Sequence, residues 1–160
     1  MISQLTDIVG PANVLTGPDC QKYGTDWMGT YSAQPLAVVR PANTGEVSAI
    51  LKLANQTGTP IVPIAGNTGL VGATYAPDAV MLSMERMNTV REIRPDTRTA
   101  IVEAGVVLSK LHEVADQHGL AFPLFFGARG SAMIGGNLST NAGGSNVLRY
   151  GNTRALCLGL

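Results

Sequence analysis

A glycine-rich segment directly after a predicted strand is the first part of the sequence with a chemical signature. Its glycines, Gly66, Gly69 and Gly72, have the spacing GxxGxxG. Glycine accepts positive φ angles and has no Cβ atom, so successive main-chain N–H groups can converge on a closely approaching ligand. Asn67 and Thr68 add side-chain hydrogen-bonding groups. The pattern indicates either an anion-binding loop or a tight turn.

Two other phosphate-binding motifs are excluded for this segment. A Rossmann dinucleotide motif needs GxGxxG at the start of a helix, and a P-loop needs Gly-Lys-Ser/Thr at its end. The sequence has neither, and the following residues, Ala73–Pro77, lack helical periodicity. We therefore expect loop N–H groups, rather than a helix N-terminus, to hold any phosphate here.

A second glycine-rich segment, Gly127–Gly144, contains six glycines and almost no charge. Apolar residues within it, such as Met133 and Ile134, indicate burial, and buried main-chain polar groups need partners. A large polar ligand is one source of such partners. Residues 65–78 and 127–148 contain a single basic residue, Arg129. Neutral N–H donors, helped by Arg129 or Arg149, would therefore have to carry a diphosphate.

The two segments together, "PIAGNTGLVG" and "SAMIGGNLSTNAGG" followed by "RYGNTRALCLGL", carry a family resemblance. From Leu36 to Leu160 the chain resembles the FAD-binding domain of the vanillyl-alcohol oxidase/p-cresol methylhydroxylase flavoproteins. Within that family it is most similar to the D-2-hydroxyacid dehydrogenases, which act on D-2-hydroxyglutarate, D-lactate or glycolate. The order and separation of the two motifs make the resemblance specific, whereas the first motif alone would be weak evidence.

The resemblance implies a set of cofactor-binding residues. In the family the first loop wraps the FAD diphosphate, and the second segment lines the diphosphate and the flavin. The matching positions in the first loop are Ala65, Gly66, Asn67, Thr68, Gly69 and Leu70. Those in the second segment are Gly127, Ala128, Ser131, Gly135, Gly136, Asn137, Thr140 and Asn141. Members with covalently attached flavin have histidine in place of Asn67, so the resemblance implies non-covalent FAD.

The resemblance also implies an α+β (α/β) fold, a two-lobed FAD-binding domain of the p-cresol methylhydroxylase type. We expect residues 1–98 to form a first α/β lobe and residues 99–160 to begin a second α+β lobe, with FAD between them. Family members continue into a substrate domain that carries substrate-binding basic residues and metal-ligating histidines. The present sequence contains no counterpart of that domain, so no catalytic residue and no metal ligand is assigned.

Other catalytic or metal-binding arrangements are disfavoured by residue spacing. His112 and His118 are not placed on one helical face and no carboxylate completes a metal-binding set, so we expect surface histidines. Cys20 and Cys157 are far apart and have no metal-like spacing, which indicates ordinary thiols. No serine lies in a GxSxG motif, so a serine hydrolase is not predicted.

Composition excludes several broad classes of protein. The chain has 160 residues, 45% of them hydrophobic, which is enough to build a core. Lys and Arg total 11 and so do Asp and Glu, so no net charge favours nucleic acid or an anionic membrane. The start, MISQLTDIVGP, has neither a signal-peptide pattern nor a membrane-spanning one, and a cytoplasmic protein is expected.

The elements that must position the two segments can be predicted from hydrophobic periodicity. Helices are expected at 3–9, from a cap at Thr44 to a left-handed stop at Gly58, and at 108–118. Residues 10–31 are predicted to be irregular. Strands are expected at 36–39, 60–64, 79–83, 89–93 and 99–103. A strand–helix–strand order of this length predicts parallel strands with a crossover connection.

The last residues, Ala155–Leu160, are predicted to enter a strand that has no terminating signal, and the chain is therefore expected to be an N-terminal fragment. An unpaired strand there would favour self-association. The function expected is the FAD-binding part of an oxidoreductase that converts a D-2-hydroxy acid to a 2-oxo acid, its small-molecule substrate held by the missing domain. The alternatives are a flavin-binding electron-transfer module and an inactive structural fragment.

Overall fold

A computed structural model describes all residues from Met1 to Leu160 and divides the chain into two compact units, Met1–Met87 and Asn88–Leu160. The division lies before the boundary predicted at residue 98. The difference arises because the strands on either side of residue 98 pair with each other. Val90 and Val102 of this hairpin also pack on the core of the second unit.

The first unit contains a four-stranded sheet. Its strands are β1 (Val14–Leu15), β2 (Ala37–Val39), β3 (Ile61–Ile64) and β4 (Val80–Ser83), in the order β1-β2-β4-β3. β2, β3 and β4 are parallel, which confirms the strand–helix–strand prediction, and β1 is antiparallel to β2. β1 and the short 3-10 turns at Pro11–Asn13 and Gly17–Cys20 correct the prediction that residues 10–31 are irregular throughout.

Both faces of this sheet are covered, so its central strands, β2 and β4, are apolar except at the buried Ser83. Ala37, Val39, Val80 and Leu82 pack on one face against helices α1 (Ile2–Val9) and α2 (Thr44–Thr57). Val38 and Met81 pack on the other face with Cys20 and Tyr23. The buried Cys20 is consistent with the prediction of an ordinary, unpaired thiol.

Helix α2 connects β2 to β3, and its ends are set by side-chain and glycine caps. Asn43, rather than the predicted Thr44, is the N-cap: its Oδ1 accepts a hydrogen bond from the Glu46 N–H at 3.0 Å. The Glu46 carboxylate in turn accepts from the Ala42 N–H at 2.7 Å. Gly58 ends the helix in the left-handed conformation, with φ 66°, as predicted.

The second unit begins with the antiparallel hairpin of β5 (Val90–Arg94) and β6 (Thr99–Val102). Three helices follow: α3 (Leu108–Asp116), α4 (Ile134–Ser139) and α5 (Val147–Tyr150). The buried face of α3 packs in the core of this unit. The turn that follows the helix ends at Gly119, whose φ is 66°.

The final residues correct a prediction. Thr153–Leu156 is a 3-10 turn and the residues after it are irregular, so the predicted strand at Ala155–Leu160 is wrong. The expected self-association rests on an unpaired strand edge that the structure does not have there. The longest helix, α2, has 14 residues, and no helix combines the length and apolar character needed to cross a bilayer.

His112 on α3 is half-buried, which corrects the prediction of a surface histidine. Its ring stacks on Phe125 with centroids 4.3 Å apart, and its Nε2 lies 3.0 Å from the Leu124 carbonyl oxygen. The pKa of His112 is lowered, mainly by burial and further by the charge of Arg129, whereas the hydrogen bond to Leu124 raises it. The neutral imidazole can donate its Nε2–H to Leu124.

Replacing Asn43 with Ala should lower the free energy of unfolding by about 0.5–2 kcal/mol, because the first turn of α2 loses its side-chain acceptor. Urea unfolding measures the change. Asn43→Ser is the control, since its hydroxyl can accept the same N–H and should restore most of the loss. Equal stability of the wild type and Asn43→Ala would contradict this account of the cap.

The free energy of unfolding should fall as the pH drops below about 6.5, the ordinary histidine pKa. A lowered pKa in the folded state means that the unfolded chain binds more protons in this range, so acid favours unfolding. His112→Gln removes the titrating group and keeps a donor for Leu124. Its urea-unfolding free energy should decline less between pH 7 and 5; an identical decline in both proteins would disprove the assignment.

Candidate functional site

The loop after β3 carries main-chain donors with no partner in the protein. Each N–H from Ala65 to Gly72 lacks an acceptor within the chain, whereas β3, which leads into the loop, is paired with β4 along its length. Met84 N–H, for example, donates to the Ile64 carbonyl at 3.0 Å, immediately before the loop begins. Because unpaired donors must be satisfied by water or by a ligand, this amide loop, residues 65–72, is the leading candidate site.

The shape of the amide loop depends on two left-handed residues. Asn67 has φ 49° and Gly72 has φ 65°. Gly66 and Gly69 do not have positive φ, so Gly72 is the one glycine of this loop that uses the left-handed conformation. At Gly69 a Cβ atom would meet nothing within 4 Å, so the surroundings of this residue are open.

The side chains of the loop have different roles. Asn67 Nδ2 donates to the Thr25 carbonyl at 2.9 Å, and Asn67 Oδ1 accepts from the Thr74 hydroxyl at 2.7 Å. The Asn67 amide group therefore holds the loop, and its main-chain N–H is what remains for a ligand. Thr68 makes no side-chain hydrogen bond in the chain, and the Leu70 side chain is exposed.

Charged groups follow the other two parallel strands at the same end of the sheet. Arg40, after β2, forms an ion pair with Glu85, after β4, at 3.1 Å. The Tyr23 hydroxyl donates to the Glu85 carboxylate at 3.0 Å, and burial raises the pKa of Tyr23. Ligands of α/β sheets bind outside the carboxyl ends of parallel strands, which is where the amide loop lies.

The second glycine-rich segment is folded differently from the first. Gly127–Gly130 is a 3-10 turn, and residues from Ile134 onward form α4, which was not predicted. Ile134 N–H donates to Val106 and Gly135 N–H to Ala104, at 2.9 and 2.8 Å. The protein itself therefore satisfies most of this main chain, and only a few of its polar groups are left for a ligand.

A few donors in this segment remain unpaired. Asn137 is only 4% exposed, and its buried Nδ2 atom has no hydrogen-bond partner. The main-chain N–H groups of Gly127, Ala128 and Gly136 also lack acceptors in the chain. A buried amide without a partner is costly, so Asn137 is the member of this segment best suited to a ligand.

The other predicted residues of the second segment make protein contacts or are exposed. At Gly135 a Cβ atom would lie 2.8 Å from the Ala104 Cβ, so this glycine permits close packing. The Thr140 hydroxyl donates to the Gly136 carbonyl at 3.1 Å, and Asn141 Oδ1 accepts from the Arg154 N–H at 3.0 Å. Ser131 is exposed and makes no side-chain hydrogen bond.

Sequence reasoning missed two supports of these segments. The Arg154 guanidinium donates to the carbonyls of Leu138 and Ser139, at 2.9 and 2.6 Å, and so caps the end of α4. Thr25 anchors the amide loop from a segment that the sequence marks only as irregular. No local pattern signals either contact, since each joins residues distant in sequence.

The donor set of the amide loop fits a diphosphate group. Main-chain N–H groups bind phosphate oxygens without contributing charge, and the loop has no acidic residue to repel an anion. No group of three His, Cys, Asp or Glu residues is arranged to hold a metal ion.

Comparison with known proteins places the chain among flavoproteins. The family described as FAD binding domain matches residues 35–160. A D-2-hydroxyglutarate dehydrogenase of Xanthomonas citri pv. viticola is 41% identical over 99% of this chain and 34% of its own length. The enzyme of the same name from Stutzerimonas stutzeri is 40% identical over 100% of this chain and 35% of its own length. The chain thus spans about a third of the length of these relatives.

Solved structures share the fold. An alkyldihydroxyacetonephosphate synthase superposes with a TM-score of 0.87 at 20% identity, over 98% of this chain and 31% of the other. A p-cresol methylhydroxylase superposes with a TM-score of 0.72 at 26% identity, over 89% of this chain and 29% of the other. Together with the match over residues 35–160, these likenesses show that the chain belongs to the FAD-binding domain family of the p-cresol methylhydroxylase type, whose cofactor is FAD.

Proposed function

We propose that this chain is the FAD-binding part of an oxidoreductase that converts a D-2-hydroxy acid to a 2-oxo acid, with FAD held non-covalently. The observation that carries the proposal is the row of unpaired N–H groups from Ala65 to Gly72. Support for the substrate class comes from the relatives named D-2-hydroxyglutarate dehydrogenase, which the chain matches over nearly its whole length.

The amide loop would bind the FAD diphosphate through its main chain. Each hydrogen bond from a neutral donor to a charged oxygen contributes about 1.5–3 kcal/mol, so a few of them suffice without a lysine or arginine. The loop itself contains no charged side chain. The proposed contacts are the main-chain groups of Ala65, Gly66, Asn67, Thr68, Gly69 and Leu70.

The second glycine-rich segment would contribute a different kind of contact. Asn137 has the buried, unpartnered donor, and Gly136 has a free N–H close to it in sequence. Gly127 and Ala128 offer two more main-chain donors. Ser131, Gly135, Thr140 and Asn141 remain in the proposal through the family resemblance. The packing of Gly135 on Ala104 gives this glycine a structural role as well.

Non-covalent attachment is supported by the residue at position 67. Asn67 takes the place of the histidine found in members with covalently attached flavin, and an amide nitrogen is not a nucleophile. Both ends of its amide group are also hydrogen-bonded within the protein.

When bound, FAD would supply the hydride acceptor for oxidation of the hydroxy acid at C2 to the 2-oxo acid, and the amide loop would hold its diphosphate. This chain's part is to bind and orient the cofactor. None of its described side chains forms a group suited to activating the substrate, so that role is assigned to other parts of the protein.

Gly69→Val should weaken FAD binding at least about tenfold, or ~1.4 kcal/mol, because a side chain would occupy the space needed for close approach of the diphosphate. Gly69 has open surroundings and no positive φ, so the substitution should leave the free energy of unfolding nearly unchanged. Fluorescence titration with FAD and urea unfolding measure the two effects separately.

Gly159→Val is the matched control for this experiment. Gly159 also has open surroundings and no positive φ, and it lies outside the proposed contacts. Its FAD affinity should equal that of the wild type. Unchanged affinity in Gly69→Val, or an equal loss in both variants, would contradict the assignment of the amide loop to FAD.

The substrate class is tested on the protein isolated at its natural length. Under anaerobic conditions D-2-hydroxyglutarate, D-lactate or glycolate should bleach the visible absorption of the bound flavin, and L-2-hydroxyglutarate should not. Bleaching by the L-acid would contradict the proposed stereochemistry. Retained flavin that none of these acids reduces would favour the alternative of an electron-transfer module.

A further inference from the structure

A loop from the N-terminal part of the first unit, Gly24–Ala33, is closed on itself by hydrogen bonds. Asp26 N–H donates to the Tyr31 carbonyl at 3.0 Å, and Asp26 Oδ1 accepts from the Tyr31 N–H at 2.9 Å. Ala33 N–H donates to the Gly24 carbonyl at 2.8 Å. The backbone of Tyr31 is therefore bonded through both its N–H and its carbonyl. This segment lies before residues 35–160, which the FAD-binding domain family matches.

The closed loop contacts the amide loop at its two left-handed residues. The Thr25 carbonyl accepts the Asn67 Nδ2–H at 2.9 Å. At Gly72 a Cβ atom would lie 2.5 Å from Cδ2 and 2.7 Å from Cε2 of Tyr31, so the ring packs directly on this glycine. The Tyr31 ring also contacts Tyr75, with centroids 6.0 Å apart.

These contacts address a problem that the amide loop poses. A segment whose N–H groups have no internal partner receives little stability from main-chain hydrogen bonding, and its backbone entropy favours many conformations. A flexible binding loop lowers the apparent affinity in proportion to the fraction of time it spends in the competent conformation. External contacts that fix Asn67 and Gly72 remove that loss.

We propose that the closed loop, Gly24–Ala33, holds the amide loop in its ligand-binding conformation, and that Tyr31 is the positioning residue. Tyr31 acts through packing on Gly72 and does not itself contact the ligand. The functional consequence, tighter FAD binding, rests on the function proposed above. The ordering of the loop is a property of the protein without ligand.

Tyr31 has the properties that this role needs. Its ring occupies the space that a side chain at position 72 would fill, so the ring can pack in this position only because residue 72 is glycine. The side chain is 46% exposed, so removing the ring takes little apolar surface out of the core. Its hydroxyl makes no hydrogen bond in the chain, and the ring alone should therefore suffice.

The test measures backbone order by NMR relaxation of the nitrogen-15-labelled chain without ligand. In the wild type the order parameters of residues 65–72 should be near those of rigid backbone, about 0.85. Tyr31→Ala should lower them toward about 0.6, whereas Tyr31→Phe should keep wild-type values. Gly72→Ala perturbs the same contact from the other side and should lower them too.

Trp27→Ala is the matched control. Trp27 is an aromatic residue of the same segment, is 69% exposed and makes no ring contact with the amide loop. Its removal should leave the order parameters of residues 65–72 unchanged. FAD titration of the same proteins should show about tenfold weaker binding for Tyr31→Ala and wild-type affinity for Tyr31→Phe.

The outcomes separate the two proposals. Wild-type order in both Tyr31→Ala and Gly72→Ala would overturn the inference, and so would a disordered loop that binds FAD with full affinity. Loss of order in Trp27→Ala would also overturn it, since the effect would not be specific to the Tyr31 contact. A wild-type chain that does not bind FAD would contradict the proposed function, while the order parameters would still decide whether the segment holds the loop.

Discussion

Main-chain polar groups that find no partner within a protein must be paired with something else, and this constraint determines how the first unit is organised. The sheet and helices bond their own backbones, but the chain between β3 and Tyr75 does not bond its N–H groups from Ala65 to Gly72. Neutral donors gathered in this way suit a charged oxygen better than they suit any apolar ligand. The family to which the chain belongs explains their purpose, because its cofactor contains a diphosphate.

The rest of the first unit can be understood as a support for that loop. Buried parallel strands fix the point at which β3 ends, and the capped helix α2 returns the chain to that strand. Paired charges at Arg40 and Glu85 occupy the ends of the other two strands. The amide loop has no charged side chain of its own. Its selectivity for a ligand must therefore come from the shape of its backbone.

Local patterns in the sequence were sufficient to predict most of the elements. The apolar strands, the left-handed stop at Gly58 and the helix that begins at Leu108 follow from periodicity and glycine placement, and the structure confirms them. The family resemblance supplied the cofactor. The N-cap of α2 was predicted wrongly because two adjacent residues, Asn43 and Thr44, can each cap a helix. In the structure Asn43 accepts the hydrogen bond from the Glu46 N–H.

Long-range contacts account for what could not be predicted. The contact of Asn67 with Thr25 and the packing of Tyr31 on Gly72 join residues that no periodic pattern relates. Likewise, α4 forms in a glycine-rich sequence of poor helix propensity because Val106 and Ala104 accept hydrogen bonds from its first residues. Burial of His112 depends on Phe125 and Leu124, which reach it from beyond the end of α3.

The central claim is that the backbone of residues 65–72 binds the diphosphate of FAD. The most direct measurement is the change in amide chemical shifts of the nitrogen-15-labelled chain on addition of FAD, ADP and riboflavin in turn. Large shifts of the amides from Ala65 to Gly72 with FAD and ADP, and none with riboflavin, are predicted because riboflavin lacks the diphosphate. FAD binding that leaves these amides unshifted, or equal shifts with riboflavin, would contradict the account.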